Sequence, residues 1–483
     1  MHPYRPARTR QHGAALMVML VVMIMGIVAI LVGSLNSSAL QIERDKKTTA
    51  ALAQAREALI GYAITYGDTH PGEVHGYLPC PDNDGVNPEG SAEPSCGSKN
   101  ISMLGRLPWK TLGLPPLRDG DGECLWYAVS GTYKNNPQTG LMNWDTNGQL
   151  QAYAADGTRL DNDNNQVLAV IFSPGTVHGN QNRTPDGKAP VCGGNYTASA
   201  YLDENPAHGI NNASVSSVAS AVSKFIQGGN DGQVNDRMVF ITRQDLWNAM
   251  QKRLDFTSTL KLMTQRVAEC IADYGRNNNS GWSNKSIPWP ALISMSDYSI
   301  NLNYNDRDYS DVNGRYYAGR VPYKVNTSNN TTNNHMSGDN LMTNNGLNNC
   351  PYHSATPSNE RERLYPWWNN WKDHLFYALS REFRPNNAPT DLCGNCVRIN
   401  GSGNYAAVVM FAGSALSGQN RASTTTNNSE RSVLSNYLEG RNESNYPNYG
   451  GNDNYQTATT SPTFNDILYC IRTDLNVMEC PPP

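Results

Sequence analysis

The chain has 483 residues, of which 38% are hydrophobic and 17% are charged, and its formal net charge is −4. This length allows two or three domains of ordinary size. The near-neutral charge argues against a nucleic-acid partner, because a protein that binds nucleic acid usually carries a basic face. Nine Trp and 25 Tyr residues argue against general disorder, since large aromatic side chains can build cores.

The first predicted element is an apolar segment at the N-terminus. Residues 1–13 contain three arginines and no acidic residue, and residues 14–35 carry no charge at all. About 20 apolar residues in a helix are enough to cross a hydrocarbon layer of ~30 Å. Positive charge ahead of such a segment predicts a cytoplasmic N-terminus. We therefore predict a single-pass membrane protein with the rest of the chain outside the cytoplasm.

The helical pattern continues beyond this segment. Leu52, Ala55, Leu59, Tyr62 and Tyr66 recur at alternating spacings of three and four, which is typical of one face of an amphipathic helix. The interval between the leader and Gly67 contains no proline. We predict one helix of roughly 50 residues and about 80 Å. Its first part, residues 14–50, would be the membrane span and spine, and its second part would pack on a globular head.

A short basic leader ending at Gly13, an uncharged span and a helix that runs into a head resemble a type IV prepilin or a type II secretion pseudopilin. The resemblance covers about 55 residues. It implies that a bacterial prepilin peptidase cuts the leader, residues 1–13, after Gly13, and that Ala14 becomes the methylated N-terminus. It also implies a place in the inner membrane before assembly with other pilin subunits. A plain membrane anchor and a secretory signal sequence are the alternatives.

One position departs from the family pattern. The fifth mature residue is usually a Glu that meets the terminal amine of a neighbouring subunit, and here that residue is Val18. A carboxylate within a membrane is costly unless it is paired. Members without this Glu resemble the minor subunits that start or cap a filament, so Val18 favours a position at the tip.

The second half of the chain repeats the first. The helical pattern that begins at Leu52 recurs with identical spacings from Leu260. Further segments match in the same order, among them 125–130 with 375–380, 167–172 with 406–411, 220–228 with 432–440 and 239–246 with 469–475. We predict a tandem duplication with head 1 at residues 51–253 and head 2 at residues 256–483. An Asn-rich insertion at about 297–349 is predicted to be an exposed loop of head 2.

Each predicted head is of the α+β class. Its order is a long helix, a Pro-rich loop, a short helix (125–130 or 375–380), a buried strand, a loop, a helix and a final strand. The long helix would pack on a mostly antiparallel sheet. The pattern leaves the order of the strands open.

All ten cysteines follow the predicted membrane span, where the compartment would be oxidising, so disulfides are expected. Cys80 with Cys96 would close one loop, and Cys470 with Cys480 would fix the C-terminus. Cys393 and Cys396 form a CxxC pair in a turn rich in Pro, Asn and Gly. This setting favours a structural disulfide over a redox site, which works at a helix N-terminus.

The chain contains none of the nucleophile, nucleotide-binding or metalloprotease motifs that we sought, so we do not expect an enzyme. Acidic loops are the one constellation suited to an ion, namely those with Asp82 and Asp84, with Asp119, Asp121 and Glu123, and with Asp161 and Asp163. Calcium takes such oxygens, but Asp-Gly turns with solvated charges have the same pattern. Many pseudopilin heads bind calcium, which adds to the first alternative, whereas head 2 lacks these loops.

The sequence therefore favours a structural function. We expect a minor pilin or pseudopilin at or near the tip of a type IV pilus or a type II secretion pseudopilus, since a double head of about 430 residues is difficult to repeat along a dense shaft. The alternative is a membrane-anchored adhesin or binding protein whose loops contact a surface or another cell.

Overall fold

The computed structural model describes residues 12–229, 232–277, 285–304, 317–323, 358–385, 393–394, 396–421, 429–446 and 453–483. Within these ranges, the side chains of residues 12–22, 24–38, 277, 358–363 and 429 are not described. The leader up to residue 11 and most of the predicted Asn-rich insertion lie outside the described residues.

The long helix α1 spans His12–Thr69, 58 residues without interruption. Thr48 is its first buried residue among the described side chains, and Leu52, Ala55, Leu59 and Tyr66 are buried in the core at the predicted spacing. The residues from Ala39 to Arg44 are exposed. The helix therefore joins head 1 through its C-terminal part.

The prediction of a membrane-spanning N-terminal helix is corrected. Among the described residues, no helix combines the length and the apolar character that crossing a bilayer requires. In the part of α1 whose side chains are described continuously, the charged run 43–47 and the alternation of buried and exposed residues interrupt any apolar stretch. The single-pass inner-membrane placement, with heads in the periplasm or outside the cell, depended on that span and is corrected with it.

Head 1 contains eight strands in its described residues. They are β1 (Met103–Arg106), β2 (Trp126–Val129), β3 (Leu150–Tyr153), β4 (Val167–Ser173), β5 (Glu204–Asn205), β6 (Ile210–Asn211), β7 (Ser223–Ile226) and β8 (Arg237–Thr242). Strands β5 and β6 form a small separate hairpin, and the other six form one sheet in the order β1-β2-β4-β3-β7, with β8 paired to β4. Helix α2 (Arg243–Gln251) follows and begins with a capping box between Thr242 and Asp245.

Head 2 begins with helix α3 (Phe256–Asn277). Its strands are β9 (Ala318–Arg320), β10 (Leu375–Leu379), β11 (Val397–Ile399), β12 (Ser402–Phe411), β13 (Asn454–Tyr455), β14 (Ile467–Arg472) and β15 (Val477–Glu479). Helix α4 (Ser358–Trp371) precedes β10, and the short α5 (Arg441–Ser444) precedes β13. The sheet order is β9-β10-β12-β11-β13, with β14 paired to β12 and β15 added beside β14.

The two sheets have the same strand order once β15 is set aside. In both, the last pair in the order is parallel (β3 with β7 and β11 with β13), and the other pairs are antiparallel. Equivalent side chains also make equivalent contacts. The hydroxyl of Tyr127 donates to the carbonyl of Pro79 at 3.2 Å, and that of Tyr377 donates to Pro288 at 3.1 Å. The repeated sequence segments therefore occupy matching places in two sheets, and the duplication itself stays a prediction.

Two local predictions within the heads are wrong. Segments 125–130 and 375–380 were predicted to be short helices, but they contain the strands β2 and β10. Every residue of these two strands is buried. A short run that is apolar on all sides looks the same in a buried strand and in a buried helix. The predicted helix at 220–228 is likewise a strand, β7, and the matching segment 432–440 forms short 3-10 turns.

The two heads share one hydrophobic core. Helix α1 packs on β8 and β4, as α3 packs on β14 and β12. Residues from both heads belong to one continuous buried cluster that includes Leu59, Trp247, Met263 and Trp371. The heads are therefore joined side by side through their helices, rather than connected by an exposed linker.

The junction between α1 and head 1 gives a testable prediction. Gly120 donates its N–H to Thr48 Oγ1 at 2.9 Å, and a Cβ at this glycine would overlap the carbonyl oxygen of Arg44 on α1. We expect Gly120→Ala to lower the free energy of unfolding by about 1–3 kcal/mol, because backbone must move. Gly61 lies on α1 with nothing within 4 Å of an added Cβ, so Gly61→Ala should raise it by up to ~1 kcal/mol. Chemical denaturation measures both, and equal effects of the two changes would contradict this packing.

Candidate functional site

The contact between the heads contains a buried polar site that the sequence did not predict. The loop that ends in Trp144-Asp145 in head 1 meets the end of α4 in head 2. The N–H of Met142 donates to Asn370 Oδ1 at 2.7 Å, and Asn143 Nδ2 donates to the carbonyl of Asn370 at 2.7 Å. Asn143 Nδ2 also contacts Asp373 Oδ1 at 3.1 Å. These paired amides fix the relative position of the two segments.

His374 lies at the centre of this site and has no exposed surface. Its Nδ1 is 3.0 Å from Asp373 Oδ1, and its Nε2 is 2.9 Å from Asp145 Oδ2. One carboxylate comes from each head, so the imidazole ring connects the two. The indole N–H of Trp144 is also directed at Nε2, at 2.8 Å. A neutral ring would accept this hydrogen bond, whereas a protonated ring would donate from Nε2 to Asp145.

The surrounding charges favour the protonated ring. Burial by itself lowers the pKa of His374, but the carboxylates of Asp373 and Asp145 outweigh it and raise the pKa above its ordinary value. Burial also works to raise the pKa of Asp373, but His374 and Arg431 hold it well below its usual range. Arg421 and His374 lower the pKa of Asp145 in the same way against burial. The group is therefore charged, buried and internally paired.

Arginines of head 2 complete the pairing. Arg431 Nη1 contacts Asp373 Oδ2, and Arg421 Nη1 lies 3.7 Å from Asp145 Oδ2. Arg320 is fully buried and donates to the carbonyl oxygens of Ile293, Asp373 and Arg431. Breaking a buried ion pair by removing one partner leaves an uncompensated charge and costs about 3–5 kcal/mol. The network therefore opposes any separation or rotation of the heads.

Aromatic rings pack against this network and help to exclude water from it. Trp144 of head 1 stands nearly perpendicular to Trp371 of head 2, with ring centroids 4.5 Å apart. Phe411 stacks on His374 at 5.7 Å, and Phe256 lies 6.1 Å from Trp144. Such edge-to-face pairs contribute about 0.5–1.5 kcal/mol beyond the area they bury. Their second effect is to exclude water, which strengthens the enclosed ion pairs.

Stability should depend on pH through His374. Its pKa is raised on folding, so its contribution is fully present below its ordinary pKa of 6.5 and is lost as the pH rises through the raised value. The carboxylates have depressed pKa values, and their contribution is lost only as the pH falls through those values in strong acid. We expect the temperature of the unfolding midpoint to fall between about pH 6 and about pH 9.

The matched variants are His374→Gln and His178→Gln. His178 also contacts a carboxylate, Asp203, at 3.1 Å, but it is 37% exposed and lies away from the contact between the heads. His374→Gln should lower the temperature of the unfolding midpoint at pH 6. It should also reduce the fall in this temperature between pH 6 and pH 9, as measured by thermal unfolding. His178→Gln should leave this fall in place. A fall of equal size in His374→Gln would show that another group causes it.

The acidic residues singled out in the sequence fall into separate places. Asp82 and Asp84 converge with Glu93, which the sequence reading missed, and their carboxylate oxygens lie within 4.8 Å of one another. Asp82 already accepts hydrogen bonds from the N–H groups of Gly85 and Gly90 and from Tyr196. Burial, and then the two neighbouring carboxylates, raise the pKa of Glu93, while the N–H of Asn83 acts in the opposite direction. The Cys80–Cys96 disulfide closes the loop that brings Glu93 back.

The second acidic loop anchors the fold. Asp119 is fully buried and accepts hydrogen bonds from Ser173 Oγ at 2.8 Å and from the N–H of Gly175 at 3.1 Å. Asp121 lies 3.6 Å from Arg44 of α1, and Glu123 lies 3.1 Å from Arg183. Asp82, Asp84 and Glu93 form a cluster that could hold a metal ion, and no other cluster of His, Cys, Asp or Glu among the described residues has such a geometry. Asp119, Asp121 and Glu123 do not join it.

The expected disulfides are present. The structure contains Cys80–Cys96, Cys393–Cys396 and Cys470–Cys480, as predicted, and also Cys124–Cys192. Cys270 is disulfide-bonded as well, and none of the described cysteines is free. Disulfides of this kind persist in oxidising compartments.

The processing positions Gly13, Ala14 and Val18 lie within α1, and their side chains are outside the described part of the chain. No protein-family model, curated protein or solved structure matches this chain. The resemblance to pilins therefore rests on the N-terminal segment of the sequence.

Proposed function

We propose that this protein is a structural subunit of a type IV pilus or type II secretion pseudopilus, carried at or near the filament tip. The observation that supports this most directly is the form of α1. The helix is continuous over 58 residues, and its first buried contact with the head among the described side chains is at Thr48. The stretch from His12 to that contact would measure roughly 54 Å at 1.5 Å per residue. A helix that extends beyond its head is the part a filament subunit uses for assembly.

Ion pairs at the junction of α1 with head 1 hold the helix in one direction relative to the head. Asp45 of α1 pairs with Arg237 at 2.7 Å, and Arg56 of α1 pairs with Asp245 at 3.0 Å. Pairs that are this exposed contribute little stability one by one. Together with the close approach of Gly120 to Arg44, they hold α1 at points about three turns apart, and this resists bending where the helix leaves the head.

The shared core supports a place at the tip. Because head 2 packs on the same buried cluster as head 1, both heads move with α1 as one body. A subunit with so wide a head would be difficult to repeat along a dense shaft, but it meets no such obstacle at the end of a filament. The fifth residue of the mature chain is Val18 rather than the Glu usual in the family, and this also favours a position at the tip.

A structural rather than catalytic function also fits the buried site. His374 has no exposed surface and is held between two carboxylates beneath Trp144. A general base must come within hydrogen-bond reach of its substrate. The ring is enclosed, so its function is to join the heads.

The second candidate is a binding function of the heads, similar to that of an adhesin. It is favoured by a polar cleft between head 1 and head 2. The two candidates are compatible, because a tip subunit is the part of a filament that meets other surfaces.

N-terminal processing tests the proposal. In protein taken from its native host, the mature chain should begin at Ala14, as mass spectrometry would show, and it should co-purify with sheared filaments. Gly13→Leu should abolish cleavage and reduce the amount in the filament fraction at least tenfold. Gly26→Leu, a matched change farther along α1, should leave cleavage intact. A mature chain that begins at Met1 or near Gln41 would contradict the filament proposal.

A further inference from the structure

A cleft of about 430 Å³ lies between the heads, next to the buried charge network. Head 1 lines it with the loops around Asn100, Thr139 and Gln149, and head 2 lines it with residues 296–299. Asp145 and Arg431 belong to both the network and the cleft. The contact that joins the heads therefore also fixes the shape of the cleft.

The chemistry of the lining is polar and uncharged on balance. Apart from two glycines, Leu141 and Val222, every lining residue has a polar side chain, mostly hydroxyls and amides. The charged members are two cations, Lys99 and Arg431, and two acids, Asp145 and Asp297. This balance gives no preference for a phosphate or a polyamine. Pockets for small molecules are usually lined by apolar side chains. This polar lining is therefore unsuited to an apolar ligand.

Two acceptor oxygens in this lining are buried and receive no hydrogen bond from any described residue. They are Asn100 Oδ1 and Gln166 Oε1. Asp145, in the same lining, is only 3% exposed, and its Oδ2 is paired with His374 Nε2 at 2.9 Å. Leaving a buried acceptor without a donor costs about 1–3 kcal/mol. A ligand with hydroxyl donors at these positions would recover that cost.

The backbone at the edge of the cleft is also unusual. Asn100 and Ser220 have φ angles of 58° and 64°, in the left-handed region that residues other than glycine rarely adopt. The N–H of Ser220 donates to the carbonyl of Asn100 at 2.7 Å, so each holds the other in place. Residues held in such conformations cluster at ligand-binding sites.

From these features we propose that the cleft between the heads binds a short neutral saccharide. Each sugar hydroxyl both donates and accepts, which matches a lining of amides, hydroxyls and unpaired acceptors without net charge. The site requires both heads, because residues 296–299 of head 2 line the cleft together with Asn100 and Gln166 of head 1. The inference is independent of filament assembly, since it concerns the heads alone.

Titration of the full-length protein tests the inference. Maltotriose, cellotriose and chitotriose would serve as neutral probes and sialyllactose as a charged one, with binding followed by saturation-transfer NMR and calorimetry. At least one neutral probe should bind more tightly than sialyllactose. Gln166→Leu removes the unpaired amide and should weaken that binding at least tenfold, whereas Gln151→Leu, on β3 outside the cleft, should leave it unchanged.

A second variant separates occupation of the cleft from folding. Thr139→Trp should fill the entrance and abolish binding without changing the thermal midpoint. Failure of all three neutral probes to bind the folded protein would overturn the proposal. So would tighter binding of sialyllactose, or neutral-saccharide binding that persists in both Gln166→Leu and Thr139→Trp. None of these outcomes bears on N-terminal cleavage, so the filament proposal is tested separately.

Discussion

The structure depends on one enclosed set of ion pairs, in which His374 joins Asp145 of head 1 to Asp373 of head 2. A buried ion pair contributes little net stability against an apolar replacement, because both ions lose their hydration. Its effect is on specificity: any other arrangement of the heads would leave a charge buried without a partner. Trp144 and Trp371 strengthen this effect by keeping water out. The network therefore selects one relative placement of two heads that would otherwise share only a non-directional apolar contact.

This placement of the heads also fixes how they lie relative to α1. Helices α1 and α3 contribute to one core, so the direction of α1 is passed to both heads. The same contact forms the polar cleft, whose floor includes Asp145 and Arg431. Loss of the His374 charge at high pH would thus loosen the heads and the cleft together. The proposed assembly helix and the proposed binding site meet at the same interface, although they act independently.

The two heads use equivalent positions in different ways. Arg106 in β1 and Arg320 in β9 occupy equivalent places, and both are buried beside aromatic rings. When residues 125–130 are aligned with residues 375–380, Cys124 corresponds to His374. Head 1 uses that position for a disulfide to Cys192, whereas head 2 uses it for the histidine between two carboxylates. A covalent link within one head corresponds to an ionic link between the heads.

The sequence by itself determined the features that are encoded locally. The spacing from Leu52 to Tyr66 predicted the buried face of α1, ordered repeats indicated two similar heads, and closely spaced cysteines gave three disulfides. Predictions from the sequence were wrong where a local pattern is ambiguous. An apolar run of six residues did not distinguish strand β2 from a helix. A charge-free segment did not establish a membrane span. Only the tertiary structure decided the strand order, the return of Glu93 to Asp82, and the meeting of Asp145 with His374. These depend on contacts between residues up to 230 positions apart, for which no periodicity exists in the chain.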